Sequence, residues 1–170
     1  MCEWNDSKQL FERGYKMKKA NQYREIEKKI QDIISDMPIR YAFGQEQFDK
    51  NVIEYFGFKS MDEAHEKLYG NGYGGYYLRT DSDIMKETWD KVHKMKEEAI
   101  EQDKDGTGYI YDMFYFELGN HEYQITLDLE PTIEACGLSV DEINDNEIIL
   151  KSLKQARADF MQDCIDNDWF

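Results

Sequence analysis

Residues 103–110, DKDGTGYI, have the residue types of the first part of a calcium-binding loop. Side chains with oxygen atoms stand at the first, third and fifth positions, a glycine at the sixth and an isoleucine at the eighth, as in an EF-hand. An EF-hand also needs a bidentate glutamate at position twelve, where this chain has Phe114. Because the missing ligand would supply two oxygen atoms, we predict no metal site here. We interpret the segment as an acidic connector between two helices.

His121 and Glu122 are the pair most suggestive of catalysis, because a histidine beside a carboxylate can transfer protons or bind a metal. The HExxH motif is absent, since Ile125 stands where its second histidine would be. A metal-dependent hydrolase centred on His121 and Glu122 would also draw on Asp112 and Asp128, and the side chains would have to converge. We predict instead that His121 is structural, that the chain is not an enzyme, and that it has no catalytic residues, cofactor or metal.

Glycines and tyrosines crowd residues 70–77, GNGYGGYY. A phosphate-binding P-loop would end in Gly-Lys-Ser/Thr and follow a strand, and this segment meets neither condition. The pattern is typical of a tight turn that leads into a short strand at residues 76–79. Since tyrosine is enriched at protein interfaces, we predict partner contacts for Tyr73, Tyr76 and Tyr77.

Acidic residues dominate the C-terminal part of the chain. The whole chain has a net charge of −15. Residues 101–170 hold 17 acidic and 4 basic side chains, a net charge of −13. Such a surface repels phosphate, so we exclude direct nucleic-acid binding and expect a protein partner with a basic surface.

The last predicted helix, residues 147–165, combines an apolar stripe with a set of carboxylates. Its apolar residues recur at steps of three and four, and they are Ile149, Leu153, Ala156, Phe160 and Cys164. The stripe would anchor the helix and leave the acids of its opposite side in solvent. We predict partner contacts for these acids and for two that stand at the start of the helix: Asp145, Glu147, Asp159, Asp163 and Asp166.

Helical spacing also dominates the rest of the chain. Apolar stripes predict helices over residues 21–37, 45–56, 80–102 and 109–118, and capping motifs at Ser60 and Ser139 begin shorter ones. On the second of these helices, either Tyr55 or Phe56 is predicted to face inward, and on the third Trp89 is predicted to do so. Residues 125–127 are predicted to be extended. The fold class is therefore α+β and predominantly helical, a compact domain of about six helices with a short strand or hairpin.

The length of 170 residues suits one core, and no linker-like stretch interrupts the chain. We expect residues 1–16 to be a loosely ordered N-terminal extension and residues 17–170 to be a single globular domain. The three cysteines form no disulfide framework, which is typical of a reducing compartment. No apolar run approaches the ~20 residues that a membrane helix needs. We therefore expect a cytoplasmic protein that does not bind membranes.

Three stretches of the sequence resemble one family. They are PIRYAFGQEQF at 38–48, GGYYLR at 74–79 and YFELGNHEYQIT at 115–126, the last followed by EPT at 130–132 and CGL at 136–138. The family comprises small uncharacterised proteins carried by phages and mobile elements of gut Clostridia and their relatives, and the resemblance spans about residues 26–153. It implies no catalytic motif. Proteins of this size, charge and genomic setting are similar in kind to anti-CRISPR and anti-restriction proteins.

The charge and the resemblance together predict an acidic phage or mobile-element protein that inhibits a bacterial defence nuclease, such as a CRISPR effector, in the cytoplasm of the host cell. Its carboxylates would occupy a nucleic-acid-binding or regulatory surface of that enzyme. Two alternatives remain open. One is the metal-dependent hydrolase centred on His121 and Glu122, and the other is a non-catalytic structural or regulatory phage protein, with a homodimer formed through its aromatic surface.

Overall fold

The computed structural model describes residues 21–170, which form a predominantly helical α+β fold, as predicted. The predicted extension at residues 1–16 and the predicted start of the domain at residue 17 lie outside the described residues. In chain order, the elements of the described part are α1 (Gln22–Ser35), β1 (Arg40–Tyr41), α2 (Gln45–Phe48), α3 (Met61–Lys67), β2 (Leu68–Gly70), β3 (Gly75–Leu78), α4 (Ser82–Gln102), α5 (Tyr109–Asn120), α6 (Tyr123–Thr126), α7 (Glu130–Ala135), α8 (Val140–Asp145) and α9 (Glu147–Asn167). A π-helical turn over Asp49–Glu54 continues α2, and a 3₁₀ turn over Arg79–Asp81 precedes α4.

The described residues divide into two compact units. The C-terminal unit contains the described residues up to Lys28 together with Lys96–Phe170. The middle unit contains Lys29–Met95. None of the helices in the described part has both the length and the apolar character that crossing a membrane requires.

Helices α5 and α9 form the centre of the C-terminal unit. All five residues of the predicted α9 stripe are buried, which confirms that prediction. Residues 109–118 are helical, as predicted, and Tyr109, Ile110, Phe114 and Leu118 on α5 are each at most 1% exposed. Burial on several sides explains the strand-like composition of α5, because a helix surrounded by other elements needs large apolar residues around its circumference.

Side-chain caps begin α8 and α9. The Ser139 hydroxyl accepts a hydrogen bond from the Glu142 backbone N–H at 3.2 Å, and the Glu142 carboxylate accepts one from the Ser139 N–H at 2.7 Å. This is the predicted capping box, and the hydrogen bonds from Ser139 lower the pKa of Glu142. Asn146 Oδ1 accepts from the N–H groups of Ile148 and Ile149 at the start of α9.

The middle unit contains a three-stranded antiparallel sheet with the order β1–β3–β2. Successive side chains of a strand point to opposite faces. Leu68, Tyr76 and Leu78 share one face, where they pack in an apolar cluster with Val52 and Ala64. The strand predicted at residues 76–79 is β3, which begins one residue earlier.

The prediction for residues 125–127 is wrong. Thr126 ends α6, and Leu127 follows with a left-handed backbone, at φ 53°. Ile125 and Leu127 are 67% and 63% exposed. Their apolar character misled the prediction, because these two side chains face solvent instead of a sheet neighbour.

Of the two inward alternatives, Phe56 packs against the apolar cluster and Tyr55 is 58% exposed, whereas Trp89 is more exposed than predicted, at 43%. The π-helical turn before Tyr55 takes one more residue per turn than an α-helix, which rotates Tyr55 out of the buried stripe and leaves Phe56 half-buried. Trp89 lies on the flank of the α4 stripe, about 60° around the helix from Val92.

Candidate partner-binding surface

Three of the predicted contact residues lie along one edge of α9 and are termed the acidic row: Asp159, Asp163 and Asp166. Their spacing of four and three residues keeps them within about 60° of one another around the helix axis. The row flanks the buried stripe of α9 and does not lie opposite to it, which corrects the prediction. Asp159 is half-buried, and the other two carboxylates are exposed.

Tyrosine hydroxyls of α5 hold two carboxylates of the row. Tyr111 Oη donates to Asp159 Oδ2 at 2.9 Å, and Tyr115 Oη donates to Asp163 Oδ2 at 2.5 Å. The two rings lie one helical turn apart and stack with their centroids 6.0 Å apart, which matches the one-turn spacing of the two aspartates. Hydrogen bonds to ionised acceptors are among the strong ones in proteins. The core therefore fixes these carboxylates before any partner arrives.

Two glutamine amides complete the contacts of the row. Gln155 Nε2 donates to Asp159 Oδ1 at 2.9 Å, and Gln162 Nε2 donates to Asp166 Oδ1 at 2.8 Å. The ion pairs found among the described residues include none between the row and a lysine or arginine. In the described part of the chain, the row is thus hydrogen-bonded without an internal cation that neutralises it.

Asp145 and Glu147 are exposed but lie apart from the row. Asp145 is the last residue of α8, and Glu147 is the first residue of α9. A rise of 1.5 Å per residue places Glu147 about 18 Å from Asp159 along the helix axis. A carboxylate in the first turn also interacts favourably with the helix dipole, so Glu147 has a structural role of its own.

The structure separates the three tyrosines that the sequence grouped. Tyr73 lies at the tip of the turn and is 84% exposed. The Tyr76 ring packs edge-on against Phe48 at a centroid distance of 4.8 Å, inside the apolar cluster. Tyr77 lies on the other face of the sheet, with its ring 5.7 Å from that of Tyr69. Of the three, Tyr73 is the one most open to a partner.

Asn71 fixes the glycine-rich turn before β3. Its Oδ1 accepts hydrogen bonds from the backbone N–H groups of Tyr73 and Gly75, both at 2.9 Å. Gly74 has a left-handed backbone, at φ 78°, and a Cβ there would come within 2.9 Å of the Ala42 carbonyl oxygen. The glycines therefore serve a tight turn, as predicted.

The carboxylate beside His121 is that of Glu117, one helical turn earlier, and Glu122 lies in the exposed turn that follows α5. His121 Nε2 lies 3.5 Å from Glu117 Oε2. Glu117 is 5% exposed and accepts hydrogen bonds from Tyr23 Oη at 2.5 Å and from Asn120 Nδ2 at 3.0 Å. Glu117 was not predicted from the sequence, although its spacing of four residues from His121 was the available signal.

The groups around Glu117 hold their protons. Burial, followed by the hydrogen bond to Glu117, raises the pKa of Tyr23. Burial also raises the pKa of Tyr109 and of the Cys136 thiol, and nearby carboxylates add to both shifts. A protonated, buried thiol is a poor nucleophile. The arrangement suits a structural network better than nucleophilic chemistry.

The four side chains of the hydrolase alternative do not form a metal site in the part of the chain that the structure describes, which includes all four. No three His, Cys, Asp or Glu side chains there are grouped so that they could hold a metal ion. Asp112 Oδ2 accepts from the Gln22 N–H at 2.8 Å, and burial raises its pKa. Asp128 Oδ1 accepts from the Glu130 N–H at 3.0 Å.

The calcium-like segment connects α4 and α5, as interpreted from the sequence. Asp103 Oδ2 accepts hydrogen bonds from the N–H groups of Gly108 at 3.1 Å and Ile110 at 2.8 Å, and so caps α5. Asp105 Oδ1 accepts from the hydroxyl and the N–H of Thr107, and the hydroxyl contact contributes most to lowering the pKa of Asp105. The carboxylates of Asp103 and Asp105 thus already accept hydrogen bonds from the loop and from the start of α5.

A family model described as "Family of unknown function (DUF7659)" matches residues 22–159, which is most of the chain. The chain belongs to this family. No curated protein and no solved structure matches the chain. The DUF7659 match includes Tyr111, Tyr115 and Glu117 and ends at Asp159, so Asp163 and Asp166 lie beyond it. DUF7659 is thus an uncharacterised family, as the resemblance implied.

Proposed function

We propose that this chain is a non-catalytic protein whose acidic row binds a basic, phosphate-recognising surface of a nucleic-acid-handling enzyme. A bacterial defence nuclease, such as a CRISPR effector or a restriction enzyme, is the proposed target, and inhibition is the proposed outcome. One observation supports the proposal. Three carboxylates share one edge of α9, and tyrosine hydroxyls of α5 hold two of them in place.

Preorganisation and charge both favour binding of the acidic row to a basic surface. Carboxylate oxygens attract the same arginine and lysine side chains that bind phosphates. Side chains that are already ordered lose less conformational entropy on binding. The surplus of acids after residue 101 would add long-range attraction to a basic surface and speed association. The resemblance to small acidic proteins of phages and mobile elements supports a defence enzyme of the bacterial cytoplasm as the target.

A competition experiment tests the proposal. Fluorescently labelled duplex DNA is bound to each member of a panel of guide-loaded CRISPR effectors and restriction enzymes, and its anisotropy is followed as the chain is added. We expect the chain to release DNA from at least one enzyme. The variant Asp159→Asn/Asp163→Asn/Asp166→Asn should need at least about tenfold more protein, since close charge pairs contribute over 1.4 kcal/mol.

Asparagine is the appropriate substitute because its carbonyl oxygen can still accept from Tyr111 and Tyr115, so the fold is preserved while the charge is removed. The matched control, Glu54→Gln/Glu66→Gln/Glu87→Gln, removes three charges from exposed positions of the middle unit and should release DNA like the wild type. Failure of the wild type on every enzyme, or an equal loss in both triple variants, would contradict the proposal.

A further inference from the structure

An apolar groove opens on the C-terminal unit where α7, α8 and α9 meet, with a cavity volume of about 230 Å³. Ile133, Ile143 and Leu153 form its floor and are buried. Val140 also lines the groove, and its side chain is 58% exposed. The groove therefore offers an apolar floor and an apolar edge to solvent.

Two cations line this groove in the most acidic part of the chain. Residues 101–170 contain only four basic side chains, and two of them, Lys154 and Arg157, border the groove. Both are exposed. Around α9 they lie on the other side of the buried stripe from the acidic row, so over residues 154–166 the helix carries negative charge on one edge and positive charge on the other. The Arg157 guanidinium lies 5.5 Å from the centroid of the Tyr123 ring, which helps to position it.

We propose that this groove docks an acidic, amphipathic segment of a partner protein. One or two apolar side chains of that segment insert over Ile143 and Leu153, and its flanking carboxylates pair with Lys154 and Arg157. Charge complementarity selects such a partner, because a basic segment would meet two like charges at the groove. The site is distinct from the acidic row and does not depend on the function proposed above.

The dimensions favour a protein segment over a small ligand. Pockets that enclose drug-sized molecules hold roughly 300–1,000 Å³ and bury most of the ligand surface. A groove of about 230 Å³ that is open to solvent instead suits the anchoring side chains of a helix laid along it. Such anchors supply most of the energy at interfaces of this kind, and charged neighbours set the choice of partner.

Two synthetic probes test the proposal on the full chain. One is a 16-residue amphipathic peptide with leucines spaced at i, i+3, i+4 and i+7 and glutamates at the flanking positions, and the other carries lysines at those flanks. Binding is followed through the methyl NMR signals of Ile133, Ile143 and Leu153. We expect the glutamate peptide to shift these signals and to bind at least about tenfold more tightly than the lysine peptide.

A charge-swap variant sharpens the test. Lys154→Glu/Arg157→Glu should reverse the preference, so that the lysine peptide binds more tightly. Because Arg157 also contacts Tyr123, the double variant could lose its fold. The single variant Lys154→Glu is therefore measured as well, and it should reduce the preference for the glutamate peptide. Val140→Asp should weaken binding of the glutamate peptide, since it places a negative charge on the apolar edge at a helix start that tolerates aspartate. Equal binding of the two peptides, or no shift of the groove signals with either, would overturn the proposal.

Discussion

Tyr115 donates a hydrogen bond from α5 to Asp163 in the acidic row of α9. The phenol is part of the core, with its ring edge-on to Phe160 at 5.6 Å, and the carboxylate is exposed. The contact therefore connects the buried part of the C-terminal unit to the surface that we propose as functional. Its strength decides how firmly the carboxylate is held.

We expect Tyr115→Phe to lower the free energy of unfolding by about 1–2 kcal/mol, because it removes one hydrogen bond to an exposed carboxylate. Urea denaturation followed by circular dichroism measures the change. The control is Tyr73→Phe, at a position that is 84% exposed, which should change stability by no more than about 0.5 kcal/mol. Equal stability of the two variants would show that the hydroxyl of Tyr115 does not hold Asp163.

Glu117 should matter more to stability than His121. Glu117→Ala leaves the buried Tyr23 hydroxyl without its acceptor, and we expect a loss of about 3 kcal/mol. His121→Ala removes a partly exposed group that lies 3.5 Å from Glu117, and we expect a loss of about 1 kcal/mol. The same denaturation measurement checks both values. A folded His121→Ala protein should release DNA in the competition experiment as well as the wild type does, and its complete failure there would contradict a purely structural role for His121.

At the scale of single elements, the loop between α4 and α5 caps the start of α5. Its sequence resembles a calcium-binding loop, but we predict no metal site there. Asp103→Ala should lower stability by about 1–2 kcal/mol, because the first N–H groups of α5 lose their acceptor. Adding millimolar Ca²⁺ should leave the melting temperature of the wild type unchanged, since position twelve is the buried Phe114. A calcium-specific rise in the melting temperature that Asp103→Ala abolishes would contradict this interpretation.

Elements with a strong local signal could be predicted from the sequence. The five-residue stripe of α9 and the Ser139 capping box each depend on spacing within one segment, and both are present in the structure. The sequence could not decide between Tyr55 and Phe56, because a π-helical turn changes the helical phase. Residues 125–127 were predicted wrongly because exposed apolar residues imitate a strand.

Only part of the candidate site could be predicted, because spacing within one segment does not show which distant segments are in contact. Asp159 and Asp163 could be named from their positions on an amphipathic helix. Their partners Tyr111 and Tyr115 are 48 residues away in the sequence, and pairing them requires knowing that α5 packs against α9. The preference of tyrosines for interfaces predicts a partner contact for Tyr76, but strand alternation turns its ring toward the apolar cluster, where it packs against Phe48.

At the scale of the whole molecule, the distribution of charge along the chain limits the kind of partner that fits. Net charge acts over about a Debye length, ~8 Å at physiological salt, and so affects encounter more than the final contacts. Residues 101–170 carry a net charge of −13, and the acidic row contributes three of those charges at fixed positions. Long-range attraction and local contact therefore make separate, measurable contributions to binding a basic surface.

The most direct test of the acidic row is the salt dependence of DNA release from the enzyme that responds in the competition experiment. The wild-type chain and the variant Asp159→Asn/Asp163→Asn/Asp166→Asn are compared at 50 and 200 mM salt, with Glu54→Gln/Glu66→Gln/Glu87→Gln as the control of equal charge. We predict that the wild type and the control weaken by about tenfold or more over this range, while the row variant is weaker at low salt and changes much less. Identical salt dependence in all three proteins would contradict the account, because it would show that the row makes no charged contact with the partner.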